Sequence, residues 1–161
     1  HRDLHSFPTR RSSDLHKFLI VNGHGGNDFR QMIRELGAGF PSMFIATCNW
    51  YQAVDQSLFF EEGGGHADEM ETSLMLYLAP ELVLPPGEAG KGSAKKFRVQ
   101  AFNEKWAWSE RKWTKVTEDT GIGDPSKASR EKGEKYFNAV TDRLSELILE
   151  LDLTGISDMY V

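Results

Sequence analysis

Three short segments gather side chains capable of chemistry: Asn22-Gly23-His24-Gly25-Gly26-Asn27, His66-Ala67-Asp68-Glu69-Met70-Glu71-Thr72-Ser73, and Thr120-Gly121-Ile122-Gly123-Asp124-Pro125. In the first, His24 stands between glycines, which leave room for a metal, a water or a substrate to approach the backbone. A histidine so placed serves as a ligand or proton carrier, or equally well as a turn residue beside a structural Asn-Gly pair. A phosphate cradle is a weaker reading, because neither the Lys-Ser/Thr end of a P-loop nor the full dinucleotide fingerprint accompanies these glycines.

The second segment is more pointed. If residues 66–78 are helical, Glu71 shares a face with Ala67, Leu74, Met75 and Leu78, so its carboxylate is aimed at the core side. A buried carboxylate without a partner is costly, so such a residue has a cation, a metal or a hydrogen-bond network waiting for it. Glu71 is therefore the strongest candidate metal ligand or general base. Glu69 falls on the face of His66, Thr72 and Ser73, which suits a solvated or supporting position. His66, beside a triple glycine, is free to point into a cleft as acid, base or ligand. A helix-capping His66 with Glu71 at the edge of the apolar stripe fits the periodicity nearly as well. In the third segment, Asp124 ahead of Pro125 reads as a turn-former.

These residues need elements to hold them. Residues 18–21 are a fully apolar run ending in Asn-Gly, as expected of a buried strand in a parallel sheet. His24 then lies just past the carboxyl end of that strand, where ligands bind in open α/β sheets. Asn27 or Asp28 can cap a helix carrying Met32, Ile33 and Leu36 that stops at Gly37 and Gly39, and residues 42–48 form a second strand. Strand, helix and strand make a right-handed βαβ unit of an α/β sheet with helices on its faces. The helix over 66–78 is closed by Pro80, and Ser126 can cap a last helix with Phe137, Val140, Leu144, Leu147, Ile148 and Leu151 as its core stripe. Trp106, Trp108 and Trp113, with Phe97 and Phe102, can wall a substrate pocket, but the core or a subunit contact is the favoured reading.

At 161 residues, 39% hydrophobic and 27% charged, the chain is sized and composed for one globular domain. Its 19 basic and 24 acidic residues, net −5, disfavour nucleic acid and acidic lipid surfaces as partners. Its apolar runs are far shorter than the roughly 20 residues a membrane span needs. The single cysteine, Cys48, excludes an internal disulfide and a multi-thiolate zinc site, which makes a reducing cytoplasm the default; within its apolar run the thiol is read as inert. Residues 1–15 have no element periodicity and are expected to be a non-native or disordered leader, leaving 16–161 as the C-terminal part of a single domain.

Taken in order, Asn22-Gly-His-Gly-Gly-Asn27, His66-Ala-x-x-x-Glu-Thr-Ser73 with Leu74-Met75-Leu76, Ala79-Pro-Glu-Leu-Val83, Gly123-Asp-Pro125 and Glu131-Lys-Gly133 resemble the creatininase family of metal-dependent hydrolases, from about residue 17 to near the C-terminus. The resemblance implies an α/β fold with three α/β/α layers and a mostly parallel sheet, here with its N-terminal strands missing. It also implies a binuclear divalent metal centre, of zinc or manganese with iron as a further option, and hydrolysis of a C–N amide bond in a cyclic amide, formamide or creatinine-like substrate. Carried over by motif, His24 and Glu71 match metal ligands, His66 the catalytic histidine, and Gly25, Gly26 and Asn27 the substrate-binding loop. The implied partners are a small-molecule amide and further copies of the chain in a homo-oligomer.

Two departures qualify what the resemblance implies. Creatininases proper carry a Glu where this chain has Gly26, which argues against creatinine itself as the substrate. The family's upstream Glu, His and Asp ligands have no match in residues 1–15, so an incomplete hydrolase with poor metal affinity is expected. The rival reading is a non-catalytic truncated fragment or binding module, and an exposed sheet edge prone to aggregation is the expected structural cost.

Overall fold

A computed structural model describes residues 15–63, 65–85, 87–90 and 92–161. The expected leader therefore lies outside the described residues except for Leu15, as do Gly64 of the triple glycine and Pro86. The chain divides into two compact units, one built from the residues up to Ala53 together with Asp142–Val161, the other from Val54–Thr141.

In the first unit, strand β1 (Lys17–Asn22) is followed by helix α1 (Arg30–Gly39) and strand β2 (Phe44–Asn49). The strands pair in parallel, with Leu19 opposite Ala46, Val21 opposite Cys48 and Asn22 opposite Asn49. This is the anticipated βαβ unit, and the α/β class with a parallel sheet is what the structure shows; the sheet has two strands among the described residues. Asp28 supports the start of α1 from just outside it, its Oδ1 accepting the Arg30 amide at 3.0 Å. Thr47 Oγ1 donates to the Ile20 carbonyl at 3.1 Å, tying the two strands by a side chain as well.

The last helix, α5 (Arg130–Leu153), contributes its second half to this unit. There Lys17 Nζ donates to the carbonyls of Leu151 and Asp152 at 2.5 and 2.9 Å, placing a cation on the negative end of the helix.

The second unit packs helix α2 (Glu69–Leu78) and the first half of α5, with two single-turn helices, α3 (Gln100–Asn103) and α4 (Trp113–Val116), between them in sequence. Its core is aromatic. Tyr136 is fully buried, with the Phe59 and Phe60 rings edge-on at 5.4 and 5.1 Å, and Met70 and Val140 are buried too.

Where α2 meets α5, Gly133 lies against Ser73 so closely that a Cβ would sit 1.9 Å from the Ser73 carbonyl oxygen. The buried Ser73 hydroxyl accepts the Ser129 amide at 3.1 Å, and Ser129 Oγ accepts the Lys132 amide at 3.2 Å. Ser129, rather than Ser126, thus caps α5. Ser126 instead gives its amide to Asp124 Oδ1 at 2.8 Å in the turn expected of Asp124.

The anticipated stripe on α5 is confirmed only in part: Val140 is buried, whereas Ile148 is half exposed. Trp106 and Trp108 are 76% and 86% exposed, so they are not core residues of the unit. No helix among the described residues is long and apolar enough to cross a membrane.

Candidate active site

The loop after β1 is organised by Asn22, which is 1% exposed. Its Nδ2 donates to Asn49 Oδ1 at 2.8 Å, so the carboxyl ends of the two parallel strands are joined by an asparagine pair. Its Oδ1 accepts the His24 amide at 3.1 Å and the Asn27 side-chain amide at 3.2 Å. One buried side chain therefore sets the course of the whole segment, with its own polar atoms satisfied.

Within this loop the Gly26 amide donates to His24 Nδ1 at 2.9 Å. That nitrogen accepts through its lone pair. A Cβ on residue 26 would lie 2.9 Å from His24 Nδ1, hence only glycine lets the ring fold back in this way. Over Gly25 lies the Tyr51 ring, with its hydroxyl 3.6 Å from where a Cβ would be. Asn27 closes the loop twice, through its side chain to Asn22 and through its amide to the His24 carbonyl at 3.0 Å.

His66 and Glu71 belong to the other unit, and there they come together. His66 does not open a helix. It forms an isolated antiparallel bridge with Ile122, donating to its carbonyl at 3.2 Å and accepting its amide at 2.7 Å. Helix α2 starts three residues later, capped by the buried Asp68, whose Oδ1 accepts the Glu71 amide at 3.0 Å. Burial pushes the Asp68 carboxyl up, against the lowering effect of that amide.

The bridge is flanked by two non-glycine residues in the left-handed region, Ala67 at φ 52° and Thr120 at φ 68°. Such backbone costs on the order of 1–3 kcal/mol per residue and concentrates at functional sites. The Ala67 amide points at Glu71 Oε2, 2.7 Å away, and the same oxygen is 3.9 Å from His66 Nδ1.

Burial on α2 is the reverse of the sequence expectation. Glu71 has 41% of its side chain exposed, whereas Glu69, expected to be solvated or supporting, is fully buried. The reason is the lie of the helix: Glu69, Met70 and Ser73 face inward, while Met75 and Leu78 are exposed. Glu69 is neutralised where it sits. Lys132 Nζ approaches Oε1 to 2.5 Å, and the amides of Glu61 and Glu62 donate to Oε2 at 2.9 and 2.8 Å. Burial alone would raise this carboxyl, but the ammonium and the two amides outweigh it and hold it below the usual carboxylate range. The hydrogen bonds anchor the segment leading to His66.

Sequence reasoning also passed over the aromatic contact of His66. The Trp113 ring lies 5.0 Å from the imidazole, centroid to centroid, at 58°, and the Arg111 guanidinium carbon is 4.8 Å from the same indole. Nothing local in the sequence links residue 66 with residues 111–113, so only the fold exposes this trio.

The donor types of His24 and Glu71, an imidazole nitrogen and a carboxylate, suit a divalent transition metal. Glu71 Oε1 has no hydrogen-bond partner among the described residues, whereas the His24 Nδ1 lone pair is engaged by Gly26. Among the described residues no three His, Cys, Asp or Glu side chains form a group able to hold an ion, so these donors fit a metal in kind only.

The comparisons with known proteins converge on one family. The profile named Creatininase, creatinine amidohydrolase, matches residues 10–148. The chain belongs to the creatininase family. A protein of Bacteroides fragilis assigned as a creatinine amidohydrolase is 43% identical over 88% of this chain and 56% of its own, with a TM-score of 0.81. A creatinine amidohydrolase (creatininase) crystal structure is similar at 20% identity over 88% of this chain and 58% of its own, TM-score 0.66. A creatininase variant of Zn-Zn type is similar at 22% identity over 82% and 55%, TM-score 0.58. The last two show likeness of fold alone. The chain spans little more than half the length of these relatives, and no curated protein matches it.

Proposed function

We propose that the chain carries the catalytic histidine and two metal ligands of a metal-dependent amidohydrolase, acting on a C–N amide bond in a small molecule of the cyclic amide, formamide or creatinine-like class. The observation that carries this reading is the setting of His66: an imidazole on a strained bridge, with Glu71 beside it offering a carboxylate oxygen that has no partner among the described residues. His24 and Glu71 would each serve as a metal ligand, with zinc, manganese or iron suited to such donors. A divalent metal, when bound, supplies an acidified water and polarises the amide carbonyl, and the family's Zn-Zn relative supports a binuclear site.

The chain's own residues do the rest. The Ala67 amide orients the Glu71 carboxylate, and His66, with about a third of its side chain exposed, hands a proton to the leaving nitrogen. Gly25, Gly26 and Asn27 would form the substrate-binding loop, with the Tyr51 ring over Gly25, the His24 ring over Gly26 and the Asn27 side chain holding the loop to Asn22.

The test is the metal content and melting temperature of the purified protein with and without Zn²⁺ or Mn²⁺, alongside turnover of formamides and cyclic amides. Any metal that the wild type binds is expected to be lost in His24→Ala and Glu71→Ala. His66→Ala should keep it while turnover falls about 10²–10⁴-fold, the usual worth of a general acid–base. Wild-type protein that binds no metal and cleaves no amide would instead be the non-catalytic binding module. Exposed apolar side chains such as Phe18 and Leu78 support a homo-oligomer, which light scattering measures. The lone thiol, Cys48, favours the reducing cytoplasm as its compartment.

A further inference from the structure

We propose that Arg111 and Trp113 form a recognition wall beside His66 that selects a flat amide substrate bearing a carboxylate. The inference rests on His66 being the reacting histidine and deepens that reading by naming the class of substrate. Three side chains share one aromatic surface: the imidazole of His66 and the guanidinium of Arg111 both lie within 5.0 Å of the Trp113 ring centre. The indole is half-buried, and a flat ligand placed against the part that Arg111 leaves uncovered would lie beside the imidazole.

Arg111 is the unsatisfied member. Among the described residues it has no carboxylate partner, while its neighbours Glu110 and Lys112 are paired with each other. The acidic group at the imidazole, Glu71, has its Oε2 engaged by the Ala67 amide and 3.9 Å from His66 Nδ1. A guanidinium already laid over an indole has lost part of its rotamer freedom, and its planar fork matches a carboxylate in two parallel hydrogen bonds. A flat ring on Trp113 and a carboxylate on Arg111 would together bring the amide of one molecule to His66.

The probes are 2-formamidobenzoate, flat and anionic, and formanilide, equally flat but neutral. Their binding to the full chain is followed by NMR at the Trp113 indole and His66 ring resonances. The anionic probe is expected to bind about tenfold more tightly, the effect of one good charge-assisted contact. Arg111→Gln should bring it to the level of formanilide and leave formanilide unchanged. Trp113→Leu should weaken both probes several-fold and Trp113→Phe less, with circular dichroism confirming the fold of each variant.

Equal affinity for the two probes in the wild type, discrimination that survives Arg111→Gln, or shifts that bypass Trp113 and His66 would each overturn the proposal. Binding needs no turnover, so the two readings separate. Discrimination without hydrolysis of any amide refutes the amidohydrolase and keeps the wall, and hydrolysis without discrimination does the reverse.

Discussion

Lys132 Nζ sits 2.5 Å from Oε1 of Glu69, a carboxylate with no solvent exposure at the first turn of α2. The pair joins the start of α5 to the start of α2, and through the Glu61 and Glu62 amides it also holds the chain that runs on to His66. Glu69→Gln keeps the shape and removes the charge facing Lys132, with an expected loss of about 2–4 kcal/mol in urea unfolding. Glu71→Gln, on the exposed side of the same helix, should cost less than about 1 kcal/mol. Equal losses for the two would contradict the burial pattern of α2.

Gly133 is the point of closest approach between α2 and α5. Alanine is ordinarily the better helix former by about 1 kcal/mol. Here its Cβ would meet the Ser73 carbonyl oxygen at 1.9 Å, with backbone on both sides and no flexible side chain to yield. Gly133→Ala is therefore expected to destabilise by about 1–3 kcal/mol net, the usual scale of overpacking. A thermal melt unchanged or raised by the substitution would show that the helices separate more easily than this.

Asn22 is expected to behave as the keystone of the His24 loop. Asn22→Ala leaves the amides of His24 and Asn27 and the Asn49 side chain without their partner, at a cost of about 2–3 kcal/mol. Hydrogen exchange should report faster opening of residues 23–27 than in the wild type. Exchange unchanged there would mean that Asn49 or water can replace the buried amide.

Cys48 offers a pH readout. Burial raises its thiol pKa, so at any given pH a smaller fraction is thiolate than for a free cysteine. Alkylation by iodoacetamide in native protein should be slower than in urea, with its rise displaced to higher pH. A native rate equal to the unfolded one would remove the reading of this thiol as inert.

Local periodicity and punctuation made the first unit legible. The apolar run of residues 18–21, the periodic stretch that forms α1 and the second apolar run suffice for parallel βαβ, although α1 runs through Gly37 and Gly39 to a cap at Phe40 instead of stopping at Gly37. The motifs also placed His66 and Glu71 near each other, and the two do meet at 3.9 Å. What periodicity could not decide is which side of α2 faces inward. The residues Ala67, Leu74, Met75 and Leu78 look like a core stripe, yet α5 approaches the opposite side, where small Ser73 and Gly133 allow contact and Lys132 supplies the charge that makes Glu69 tolerable in the interior.

The sequence by itself determined the α/β class, the Gly-rich loop with His24 at a strand end, and the identity of the His66 and Glu71 candidates, since each of these depends on residue type and short spacing. Only the tertiary structure decided that Glu69 is the buried carboxylate, that His66 stands on a strained bridge to Ile122, and that Trp113, with Arg111 over its ring, lies against the imidazole. Those outcomes depend on partners distant along the chain, and a side chain's burial, charge state and aim are set by whatever the fold brings against it.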